Sequence, residues 1–127
     1  MQRYSTGNPF ESKFGYSRAV RRGPFILVSG TTSVDLSTGL VAHPTSAYDQ
    51  AVKIFREIIT AVTALGGKKE DVARVRMFVT YEGDSDEVGR ALKENFGDVG
   101  PTATMIMGAK FVSPDMRVEI EADAIVA

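Results

Sequence analysis

In a chain without cysteine, polar chemistry must come from carboxylates, arginines, hydroxyls and a single imidazole. Glu119 and Glu121 stand two apart in Val118-Glu119-Ile120-Glu121-Ala122. On a strand that spacing puts both on one face, with Cα atoms roughly 7 Å apart. Like charges that close raise one pKa or recruit cations, so one carboxyl could hold or activate a water. Spacing alone favours a plainer reading, a salt-bridged sheet face with Arg74 or Arg76 as partner. Ser29-Gly30-Thr31-Thr32 ends an apolar run with hydroxyls and a glycine. Such an end exposes amides and hydroxyls to a polar ligand, although turn chemistry explains it equally well. Arg18, Arg21 and Arg22 form a small basic cluster. The aromatic residues do not interleave with it as stacking platforms would, so it reads as a solvated or ion-paired edge. His43, the only histidine, precedes Pro44 in a connection and reads as a loop residue rather than a base.

The elements that position these residues follow from hydrophobic periodicity. The first thirteen residues, with Gly7, Asn8 and Pro9, read as an irregular arm. Tyr16–Arg22 alternates, with Tyr16, Arg18 and Val20 on one face, and Phe25–Ser29 returns after a Gly23-Pro24 corner. Ala47, Ala51, Ile54, Ile58, Val62 and Leu65 recur at steps of three and four and predict a helix over Ala47–Leu65. Ser46 and Asp49 fit a capping box, and Gly66-Gly67 stops the helix. Val72–Tyr81 is a strand with Val75, Met77 and Val79 on one face and Arg74, Arg76 and Phe78 on the other. A second helix spans about Asp86 to Phe96, capped by Asp84 or Ser85. Thr102–Phe111 reads as a strand broken by Gly108, and Arg117–Val126 as the last strand. The fold class is α+β, ββαβαββ, a mixed sheet with two helices on one face. A sheet covered on one side must solvate its other face or bury it against copies of itself.

Bulk properties narrow the function. The chain has 127 residues, 43% hydrophobic and 24% charged, enough for one domain spanning residues 1–127. A net charge of −1 supplies no field for phosphate backbones, so no nucleic-acid partner is expected. Without cysteine there is no disulfide, thiolate nucleophile or Cys-ligated metal, and no metal site is expected. Neither nucleotide-phosphate loop pattern occurs. Met1–Pro9 shows no signal peptide, and the longest apolar run, Pro24–Val28, is too short to span a bilayer. A cytoplasmic protein with no membrane partner is the expectation.

Together the segments resemble the RidA/YjgF family of small reactive-imine deaminases. Gly15-Tyr16 is followed thirteen positions later by Ser29-Gly30, then by Ser37-Thr38-Gly39 and the long helix ending Leu65-Gly66. Val75-Arg76-Met77-Phe78-Val79 and Val118-Glu119-Ile120-Glu121-Ala122 complete the order, the last being the most specific. The resemblance implies a chorismate-mutase-like fold and a homotrimer with ligand clefts between subunits. It implies hydrolysis of small enamines or imines, of the 2-iminobutanoate/2-iminopropanoate type, without metal or cofactor. By the same resemblance Glu119 positions the attacking water. Tyr16 lines the cleft, and Ser29 and Gly30, with Thr31 beside them, bind substrate. Family members with deaminase activity carry an arginine in a P-x-R-[ST] segment that forks the substrate carboxylate. Here the segment is Pro101-Thr102-Ala103-Thr104, so Ala103 holds the arginine's place beside Thr104. The chain thus resembles an arginine-lacking branch. Arg18 is the nearest alternative cation, and a non-catalytic metabolite-binding trimer is the alternative reading.

Overall fold

The computed structural model describes residues 1–127. Its elements are β1 (Gln2–Tyr4), α1 (Pro9–Phe14), β2 (Ala19–Arg22), β3 (Phe25–Thr31), α2 (Ala47–Ala64), β4 (Val72–Val79), α3 (Ser85–Phe96), β5 (Thr102–Met107) and β6 (Val118–Ile125). The six strands form one sheet in the order β1-β2-β3-β6-β4-β5. Every pairing is antiparallel except β4 with β5, whose parallel register requires a crossover, and α3 supplies it.

The alternation in β6 sorts its side chains as its sequence predicts. Val118, Ile120, Ala122 and Ala124 are buried under the helices with Val75, Met77 and Val79. The helices α2 and α3 meet over that layer, where the Phe55 and Phe96 rings pack edge to face with centroids 5.4 Å apart. Burying about a dozen such large side chains supplies most of the folding free energy, at roughly 1.5–3 kcal/mol each before chain entropy is subtracted. On the open face Arg76 pairs with Glu121 at 3.2 Å and with Asp123 at 3.5 Å. Phe25, Leu27, Ile106 and Ile125 lie there half-exposed.

The residues read as an irregular arm are instead β1 and α1. Arg3 and Tyr4 gain backbone partners across β2, a pairing no local pattern announces. In α1, Asn8 Oδ1 accepts from the Phe10 amide, Pro9 opens the helix, and left-handed Gly15 closes it. Strand β2 begins only at Ala19, so Tyr16 and Arg18 lie before the strand predicted to carry them. Strand β5 stops at Met107, because Gly108 turns left-handed with φ 86°. Asp84 precedes α3 without capping it, since its carboxylate is held by Arg117 Nε at 3.1 Å and Nη2 at 3.4 Å.

Candidate active site

The site is built where β3 bulges. Its register against β6 slips between Val28 and Thr31, so one extra residue is accommodated at Ser29-Gly30. The bulge keeps Val28 and Thr31 both buried and leaves the Gly30 backbone open to its neighbour. That neighbour is Glu119. A Cβ at position 30 would lie 3.1 Å from both Cδ and Oε2 of the Glu119 carboxyl. Glycine is therefore required for the carboxyl to lie flat against this strand.

Glu119 and Glu121 divide the two roles their spacing allows. Glu121 takes the salt bridge to Arg76. Glu119 lies opposite Phe78, and its carboxyl makes no hydrogen bond or ion pair with protein. Partial burial pushes its carboxyl above the usual carboxylate range; nearby Arg18 opposes the shift and Glu121 adds to it.

Arg18 is buried and its donors are largely committed. Nε bonds Glu11 Oε2 at 3.2 Å, and Nη1 bonds the Gly30 carbonyl at 2.6 Å and Thr31 Oγ1 at 3.2 Å. Nη2 reaches the Tyr16 hydroxyl at 3.5 Å, and the guanidinium stands 5.6 Å from the Tyr16 ring centroid. Glu11 is itself buried on α1 and also accepts from the Thr6 amide and hydroxyl. The arginine cluster read from the sequence thus separates. Arg18 turns inward, while Arg21 Nη1 donates to the Leu65 carbonyl at 2.8 Å and satisfies the C-terminal end of α2.

A cavity of about 890 Å³ opens over this constellation. Tyr16, Arg18, Gly30, Thr31 and Glu119 line it. Ser29 lies on a smaller, separate cavity with Arg76 and Glu121, and its hydroxyl donates to the Ser17 carbonyl at 2.7 Å. Ala103 and Thr104 lie exposed on edge strand β5, outside both cavities. Ala103 pairs with Val75 on the helix-bearing face, whereas Glu119 pairs with Phe78 on the open face and β4 stands between them. His43 sits in a left-handed loop conformation at φ 55°, and its carbonyl accepts from Gln50 Nε2.

Two positioning residues escape a local reading of the sequence. Glu11 meets Arg18 across the turn that follows α1, seven residues along the chain. Gln50 is fully buried; it donates to the His43 and Asp115 carbonyls and accepts from the Arg117 amide. It thereby ties the loop ahead of β6 to α2. A polar residue on the apolar stripe, between Ala47 and Ile54, is the signal that marks it.

This arrangement can be compared with known proteins. The family model described as endoribonuclease L-PSP matches residues 6–126. The chain belongs to the RidA/YjgF family. A solved RidA/YjgF structure from Mycobacterium tuberculosis, of the YjgF/YER057c/UK114 family, is similar at TM-score 0.88 and 36% identity, with 98% of each chain covered. An uncharacterized protein of Streptomyces coelicolor is 32% identical over 98% of this chain and 91% of its own length. A 2-iminobutanoate/2-iminopropanoate deaminase of Dermatophagoides farinae is 29% identical over 87% of this chain and 85% of its own length. The RidA/YjgF fold accounts for the six-stranded sheet and its two main helices. No helix of the chain is long and apolar enough to cross a membrane.

Proposed function

We propose that this RidA/YjgF chain hydrolyses a small imine or enamine in a cleft completed by a second subunit, with Glu119 as the general base. The observation that carries the reading is Glu119 itself: a half-buried carboxyl on a cavity wall, seated against Gly30 and unpaired. A group with that environment holds a proton more readily than a solvated carboxylate and can exchange it with water. Water adds its oxygen to the imine carbon while Glu119 takes its proton. That proton passes to the nitrogen to give the neutral carbinolamine. Glu119 then carries the hydroxyl proton to the nitrogen as the C=O bond forms and the C–N bond breaks, and ammonia leaves with the carbonyl product. Tyr16 and Thr31 line the same cavity, and Arg18 holds the Gly30 carbonyl in place.

The half-exposed apolar residues on the open sheet face support assembly into a homotrimer through that face. Ala103 favours a second reading, a trimer that binds a metabolite without turning it over. Ammonia release separates the two. Wild-type protein should accelerate it from an imine generated in situ, and Glu119→Gln should remove the acceleration. Tight metabolite binding with no ammonia from any imine would establish the second reading.

A further inference from the structure

We infer that the cavity selects an imine or enamine lacking an α-carboxylate and attached to an aromatic or branched aliphatic group. This rests on the hydrolytic role proposed for Glu119 and specifies what the same cavity admits. A guanidinium forks a carboxylate along one of two edges, Nε with Nη2 or Nη1 with Nη2. In Arg18 neither edge is free, because Nε is bonded to Glu11 and Nη1 to Gly30 and Thr31. Its charge already faces the buried carboxylate of Glu11. Lys110 is the other cation on the wall, and it is exposed, so water screens it. Position 103 holds alanine and lies outside the cavity.

The remaining features favour a neutral or cationic ligand. Glu119 has no cationic hydrogen-bond partner; the Arg18 charge nearby acts on it but is spent on Glu11, so a ligand carboxylate beside Glu119 would meet repulsion of the kind Glu121 already exerts. An iminium would instead face an acid and aromatic rings, both attractive to a cation. Tyr4, Phe10, Phe14, Tyr16 and Phe111 line the walls, and Phe10 and Phe14 stack with centroids 6.1 Å apart. In the isolated chain this space is about 890 Å³, more than a short-chain imino acid fills, and a second subunit completing the cleft would take up part of it. The carbonyl product would then be an aldehyde or ketone, released with ammonia.

A matched pair of imines tests this. An amine oxidase acting on phenethylamine and an amino-acid oxidase acting on phenylalanine release imines with the same benzyl body, differing by the carboxylate. For calorimetry, phenylpyruvate and phenylacetone, which carries a methyl group in place of the carboxylate, are a matched pair of stable ligands. The amine-derived imine should be hydrolysed faster by at least about tenfold, and phenylacetone should bind more tightly by a similar factor. Preference for the imino acid, or phenylpyruvate binding as tightly as phenylacetone, overturns the inference. The hydrolytic reading survives that result if Glu119→Gln still abolishes turnover. If neither imine is turned over while phenylacetone outbinds phenylpyruvate, the hydrolytic reading falls and the selectivity stands. Binding of neither ligand overturns the selectivity as well.

Discussion

At the scale of single residues, the decisive contrast is between two glutamates on one strand face. Glu121 is neutralised by Arg76, and Glu119 is left unpaired beside Gly30. Because burial raises its pKa in the folded state, Glu119 binds a proton more tightly folded than unfolded. Its contribution to stability is therefore fully present below the ordinary carboxylate pKa. It is lost as pH rises through the raised one. Glu119→Gln should leave the melting temperature at neutral pH unchanged or higher, and should flatten the pH dependence of stability in that window. A clear drop in melting temperature would instead mark Glu119 as a structural ion-pair partner. As a general base it must be ionised, so turnover should rise with pH through an apparent pKa above the usual carboxylate range. Tyr16→Phe should weaken ligand binding or turnover with little change in melting temperature, since the hydroxyl's bond to Arg18 is long at 3.5 Å.

At the scale of elements, the site depends on a bulge and on a short helix. Gly30→Ala would place a methyl 3.1 Å from the Glu119 carboxyl. The carboxyl can swing away by a few tenths of an ångström, so the stability loss should stay at about 1 kcal/mol. Displacing a catalytic group by even that little should reduce turnover far more, and thermal melts alongside ammonia release would show the split. The helix α1 contributes Glu11, whose carboxylate anchors both Thr6 and Arg18. Removing it in Glu11→Ala leaves a buried guanidinium short of its counter-charge and should destabilise the fold by about 3 kcal/mol. Urea denaturation would measure this, and an effect below about 0.5 kcal/mol would mean that solvent reaches the pair.

At the scale of the whole molecule, the open sheet face mixes Phe25, Leu27, Ile106 and Ile125 with the Arg76–Glu121–Asp123 cluster. If copies pack through this face, the charge reversal Glu121→Lys sets two cations together in a desolvated layer. It should weaken assembly by about 3–5 kcal/mol. Sedimentation at micromolar concentration should find a trimer for the wild type and smaller species for the variant, and a wild-type monomer would end the idea. Ala103→Arg belongs to this scale too, because position 103 lies across β4 from Glu119 and on the other sheet face. Any gain in imino-acid hydrolysis from that arginine should require the assembled protein.

Periodicity by itself determined the two main helices, the faces of β4 and β6 and the succession of strands and helices along the chain after Gly15. Each of those rests on contacts that repeat every two or every three to four residues, and such repeats are written in the chain. The glutamate pair was equally legible as a pair, because spacing on a strand puts both side chains on one face. What spacing could not say was which of the two is paired. That depends on the β4–β6 register, which sets Arg76 opposite Glu121 and Phe78 opposite Glu119. The N-terminal strand and helix were hidden for a related reason. Strand β1 is three residues long and α1 six, so neither completes enough periods to announce itself, and both are stabilised by partners elsewhere. Arg18 shows the same limit: within the predicted strand Tyr16–Arg22 it reads as part of a solvated or ion-paired edge. It lies one residue before β2, and Glu11 of α1 together with the Gly30 carbonyl of the β3 bulge hold it inward. Long-range pairing decided these positions, because a buried charge is tolerated only where the tertiary fold delivers its partners.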